Sequence, residues 1–220
     1  MTDSSRTSRL GAGWDCEPGG FKDLLGHGHR HLSWVHPALL LRARNDWLAR
    51  SLGDPTNIER RRWVAGRLAN DVDPDFTIRH LAEGPGISFL VLADTGEGDA
   101  SQYCLVPAVS LIAQGTAFIF IHGDVVYPSG DAADYREGFY RPYRDYPSPI
   151  YAVPGNHDWY DGLNGFMRHF CDVRPSDKST STERTGALWQ RALRRLLWRN
   201  PTRASDREIE DMRAMRPRPE

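Results

Sequence analysis

Cysteine is scarce in this chain: three in 220 residues, at Cys16, Cys104 and Cys171. Their odd number and wide spacing argue against a disulfide framework and against cysteine metal ligation. A reduced, cytoplasmic setting is therefore the expectation. Long hydrophobic runs are missing as well. No stretch approaches the roughly 20 apolar residues that span a bilayer. Residues Met1 to Arg6 lead into no apolar segment of the kind a secretory signal carries. An excess of one charge is also lacking, with 28 Lys+Arg against 29 Asp+Glu. That balance calls for no nucleic-acid or membrane partner. It hides an asymmetry, because twelve of the basic residues but only eight of the acidic ones lie from Asp172 onward. There is no internal repeat.

The length suits one domain with a substantial core. Residues 1–35 are rich in Gly, Ser and His and read as loop. Leu39, Leu40, Trp47 and Leu48 mark an amphipathic helix between His36 and Arg50, with Pro37 in its first turn. Asp54-Pro55 opens a second helix bearing Ile58, Trp63, Val64 and Leu68. Phe76–Leu81 reads as a strand, and Ile87–Ala93 and Ala117–Ile121 as buried strands. Asp99 or Ser101 caps a helix running toward Ala113, with Gly115 as its stop. Asp131–Arg144 reads as helix, Pro149–Val153 as strand and Gly162–Phe170 as a short helix. This alternation predicts an α/β fold with a parallel or mixed sheet.

After Cys171 the pattern changes. Arg174–Thr185 is polar and reads as a connection. Leu188, Trp189, Ala192, Leu193, Leu196 and Leu197 then form one helical stripe flanked by Arg191, Arg194, Arg195 and Arg199. The preferred reading is an amphipathic helix that packs on the domain, or on missing C-terminal sequence or another subunit. A membrane or nucleic-acid role is the lesser alternative. The charged residues beyond Asn200-Pro201 read as mobile. Three regions follow: an N-terminal arm and helical extension over 1–74, an α/β core over 75–171, and a basic helical tail over 172–220.

The chemistry gathers at three strand ends. They are Asp94-Thr95-Gly96, then His122-Gly123-Asp124-Val125-Val126-Tyr127, then Gly155-Asn156-His157-Asp158. Each follows an apolar run, and about one βαβ unit separates each from the next. Parallel neighbours would bring them to one sheet edge, where open α/β sheets build their sites. Two carboxylates, a phenol and an amide are mostly hard oxygen donors, suited to Mn, Mg or ferric iron, with Zn possible. The glycines allow a sharp turn off each strand and room for a ligand. His122 lies two residues before Asp124, so strand alternation puts both on one side. It suits a supporting hydrogen bond as well as ligation. Asp99 reads as a helix cap rather than chemistry.

In this order and spacing the motifs resemble the calcineurin-like metallophosphoesterases, over roughly residues 87–170. Asp94-Thr95-Gly96 and Tyr127 resemble the purple-acid-phosphatase variant. The resemblance implies two metal ions (Fe, Mn or Zn) in a two-sheet β-sandwich flanked by helices. Asp94 would bind the first metal, Asp124 would bridge both, Tyr127 would bind the first as a phenolate, and Asn156 would bind the second. A metal-bound hydroxide would attack phosphorus, His157 would stabilise the transition state or protonate the leaving group, and Asp158 would hold the His157 ring. The implied substrate is a phosphate ester, with monoesters favoured over diesters. The family's later His and Gly-His-x-His are absent, since His169 is the last histidine. The sandwich is thus expected to be incomplete, and the alternative function is a catalytically incompetent, truncated binding module. Gly26-His27-Gly28-His29 has the missing motif's spelling at the wrong end of the chain and reads as a His-rich loop.

Overall fold

The structure, a computed structural model, describes residues 32–69, 86–160, 162–173 and 187–216. The predicted strand at 76–81, the connection at 174–185 and the His-rich loop at 26–29 lie outside the described residues. The described architecture is mixed α/β around one three-stranded parallel sheet in the order β1 (Leu90–Leu92), β2 (Ile119–His122), β3 (Ile150–Val153). Leu92 pairs with Ile121, and His122 with Val153, so the strands end nearly level. The sandwich implied by the family resemblance has no second sheet among the described residues.

The strands are more one-sided than their continuous apolar runs predict. Ile119 and Ile121 are fully buried, with Leu90, Leu92, Ile150 and Ala152 packed beside them on the core face. The other face is aromatic and partly open. Phe89 stacks on Phe118 at 4.7 Å, and Phe118 meets Tyr151 edge-on at 5.6 Å. Phe89 and Val91 are exposed. Val125, Val126, Tyr135, Phe139, Phe166 and Met167 fill the core against the covered face.

The first predicted helix divides into α1 (Pro37–Arg42) and α2 (Arg44–Leu52), and α3 (Asn57–Ala69) follows. The His36 side chain caps α1 with Pro37 at its start. α3 brings Trp63 into the core, where its indole donates to the Gly162 carbonyl at 2.9 Å. The helix predicted toward Ala113 also divides, into α4 (Ala100–Tyr103) and α5 (Val106–Ile112), with Pro107 in the first turn of α5. Asp99 caps α4 through Ser101 N. The segment predicted as a helix from Asp131 becomes a 3₁₀ turn, Ala132–Asp134, and a wide π turn, Arg136–Tyr140. After β3 come α6 (Asn156–Trp159) and α7 (Asn164–Phe170).

The tail departs most from the sequence reading. α8 (Leu188–Leu197) packs against α2, but by its polar face: Arg194 is buried, whereas Leu188, Trp189, Leu193 and Leu196 are exposed. The residues read as mobile form α9 (Asp206–Arg213). Ser205 and Glu208 close a reciprocal cap at its start, and Ile209 and Met212 join the core. Two well-spaced apolar residues were enough to anchor a mostly charged helix.

Buried Asp131 ties these parts together. Arg199 reaches both its oxygens at 2.9 Å, Arg42 donates to it at 3.1 Å, and Thr202 N donates at 3.0 Å.

Candidate active site

The three strand ends meet as their spacing predicts. Asp94 N approaches Gly123 O at 3.4 Å, and Gly123 N donates to Val153 O at 3.1 Å. Beyond β2 the alternation of sides breaks. Gly123 and Asp124 have φ of 90° and 46°, which turns the Asp124 carboxylate into the protein while His122 stays exposed. His122 instead lies edge-on to Phe120 at 6.1 Å. Asp94 is also left-handed, at φ 55°. Non-glycine residues adopt that region at a cost, and such residues concentrate at functional sites.

Asp124 is the centre of the cluster. Its Oδ1 accepts from His157 N at 2.9 Å, and its Oδ2 lies 2.9 Å from the Tyr127 hydroxyl. The same hydroxyl lies 2.9 Å from Asp94 Oδ1. One phenolic proton is thus placed between two carboxylates. Burial, followed by the two carboxylates, pushes the Tyr127 phenol far above its ordinary range, so it keeps that proton. Gly155 makes this packing possible: a Cβ there would stand 2.1 Å from Asp124 Oδ1. Gly96 does the same on the other side, where a Cβ would stand 1.9 Å from Val125 O.

His157 has a defined ring orientation. Its Nδ1 lies 2.8 Å from the Pro128 carbonyl oxygen. A carbonyl can only accept, so Nδ1 carries the proton and Nε2 is available for chemistry. Asp158, expected to hold this ring, is hydrogen-bonded to the backbone of two loops. Its Oδ2 accepts from Val125 N at 3.0 Å and Gly155 N at 2.9 Å, stapling the second strand-end loop to the third. Asp158 is buried, and that burial raises its carboxyl to about 7. Asn156 opens α6 beside this staple and is exposed.

Trp34, which no sequence signal marks, completes the wall. Its ring lies 5.2 Å from the His157 ring and 5.7 Å, edge-on, from Tyr127. Leu32 N donates to Asp99 Oδ2 at 2.9 Å and so anchors the segment that carries it. On the Asp94 side a cavity of about 280 Å³ is lined by Leu92, Thr95, Val106, Val109 and Tyr143.

The Tyr127 hydroxyl links Asp94 and Asp124, so three oxygen donors of the kind that suits a hard cation lie side by side. They do not form a conventional cluster. Among the described residues, no group of three or more His, Cys, Asp and Glu side chains is gathered to hold a metal. His169 is buried instead, stacked on Tyr135 at 4.2 Å with Nε2 at 2.9 Å from Ala132 O. No curated protein and no solved structure matches the chain. Residues 87–194, which hold all three strand-end motifs, match the calcineurin-like phosphoesterase family, and this supports the superfamily that those motifs resemble.

Proposed function

We propose that the chain hydrolyses phosphate esters with the help of metal ions, preferring monoesters to diesters as the purple-acid-phosphatase-like motifs imply. The observation that carries this reading is the Tyr127 hydroxyl 2.9 Å from both Asp94 and Asp124. These three residues would hold the first ion. Asp124 and Asn156 would face the second, which makes the centre dinuclear. Fe, Mn and Zn are the candidates, and a phenolate ligand favours ferric iron. When bound, such ions stabilise charge developing on the phosphoryl oxygens and make water a stronger nucleophile.

The chain's own groups supply the rest. Tyr127 holds a proton between the carboxylates where positive charge is needed, and would give up that proton on holding an ion there as phenolate. His157, with its Nδ1 proton held by Pro128 O, would in its imidazolium form donate the Nε2 proton to the departing oxygen. Asp158 would keep the loops of Asp124 and Asn156 in register through its two backbone hydrogen bonds. The apolar cavity beside Asp94 suits the organic part of an ester.

The test is turnover of an aryl phosphate by the purified chain with Mn, Zn or Fe, alongside metal analysis. Asp124→Asn should lower turnover by about a hundredfold or more and weaken metal binding; undiminished turnover would remove Asp124 from the site. A second reading, a phosphate-ester-binding module without turnover, rests on the sequence, in which no Gly-His-x-His follows the three motifs and His169 is the last histidine. It predicts ester binding with no metal and no product.

A further inference from the structure

α8 packs the wrong way round for an amphipathic helix. At about 100° per residue, Leu188, Ala192, Leu196, Trp189, Leu193 and Leu197 occupy one half of its circumference. Gln190, Arg191, Arg194 and Arg195 occupy the other half. A helix docked on a core buries the apolar half. Here Leu188 is 80% exposed, Leu196 79% and Trp189 64%, while Arg194 is 6% exposed.

Specific hydrogen bonds hold this orientation. Arg194 donates to Leu52 O at 3.1 Å and Gly53 O at 3.3 Å, satisfying carbonyls at the end of α2. Arg44 donates to Leu197 O at 2.6 Å and to Leu41 O at 2.5 Å, so the ends of α8 and α1 lie side by side. Asn45 pairs with the Arg199 backbone in both directions, at 2.7 and 2.9 Å. Leu40 and Leu41 on α1 are also exposed. Beside α8 runs a groove of about 760 Å³ lined by Leu188, Arg191, Arg194, Arg195 and Trp198.

We infer that α8 is a docking surface for an anionic phospholipid membrane, lying in the plane of the interface. Three features select that occupant. The apolar half is continuous over ten residues, about 15 Å long, with Trp189 near its middle. The helix carries three arginines and no acidic residue. Arg195 borders the apolar half beside Leu188, with Arg191 next to it on the same flank, where their stems can lie along acyl chains and their heads can reach lipid phosphates. No described helix is long and apolar enough to cross a membrane.

The test is co-sedimentation of the full chain with vesicles of phosphatidylcholine alone and with added phosphatidylserine, at low and high salt. The wild type should pellet with the anionic vesicles and lose most of that binding in high salt. Arg191→Gln/Arg195→Gln and Leu193→Glu/Leu196→Glu should each weaken binding about tenfold or more. The altered side chains are outside the core, and circular dichroism melting verifies folding. A blue shift of fluorescence on vesicle addition, lost in Trp189→Phe, reports insertion of this face independently. Failure to pellet with anionic vesicles overturns the inference. Equal binding to neutral vesicles overturns its charge component. A dimer abolished by Leu193→Glu/Leu196→Glu, without vesicle binding, assigns the face to a second copy instead. None of these outcomes depends on phosphate-ester hydrolysis.

Discussion

Asp94 and Asp124 hold backbone conformations that stability alone disfavours. At Asp94, with φ 55° and an exposed side chain, Asp94→Gly should relieve the backbone and raise metal-free stability by about 0.5–1 kcal/mol. It should also weaken metal binding, and urea unfolding beside metal titration would reveal the opposed effects. The same scale explains why His169 is a poor ligand candidate. Burial lowers its imidazole from 6.5 to about 3, and its Nδ1 lies 3.1 Å from the Tyr140 hydroxyl. Between those two values the unfolded chain binds a proton that the folded chain does not. Stability is therefore intact above pH 6.5 and falls as pH drops toward 3, by up to about 1.4 kcal/mol per pH unit. Asp158, raised to about 7, titrates in the same range with the opposite sign, so the two chains are compared at each pH: between pH 7.5 and 5.5 the urea midpoint of the wild type should fall relative to that of His169→Phe, and an unchanged difference would remove His169 as the cause. Asp94, Asp124, Tyr127 and Asn156 were legible as candidate ligands because their residue types and spacing carry chemistry. The ring partner of His157 was not legible, since a backbone carbonyl at Pro128 has no side-chain signature.

At the scale of elements, period and turn residues placed the parallel strands well but misjudged their exposure. An unbroken apolar run reads alike whether one or both faces are covered. The chain after Asn200 shows the reverse error. Its charge suggested mobility, yet α9 inserts Ile209 and Met212 into the core behind a Ser205–Glu208 cap. Ile209→Ala should therefore cost about 2–4 kcal/mol, and Ser205→Ala about 1 kcal/mol. Denaturant titration checks both, and an Ile209→Ala effect below experimental error would mean that α9 is not docked.

Across the whole molecule, Asp131 joins the N-terminal helices, the loop after Tyr127 and the segment after α8. It is fully buried against Arg199 and the partly exposed Arg42, and Arg199 also donates to Ser129. Removing one member of such a network leaves buried charge uncompensated. Asp131→Ala should destabilise the protein by about 3 kcal/mol or more. Because Ser129 adjoins Pro128, it should also loosen the His157 ring. A urea titration and the imidazole proton resonances of His157 measure the two effects separately, and a change below about 1 kcal/mol would show that solvent already screens the pairs.

The sequence by itself determined the alternation of strand and helix, the three strand-end motifs and the likeness to a phosphoesterase superfamily. Those properties reside in residue type and local spacing. Tertiary structure alone decided that Tyr127 bridges Asp94 and Asp124, that Asp158 staples loops, that Trp34 borders the site and that α8 faces outward. Each depends on which distant groups satisfy one another's hydrogen bonds and burial, as Arg194 does on reaching the carbonyls that end α2.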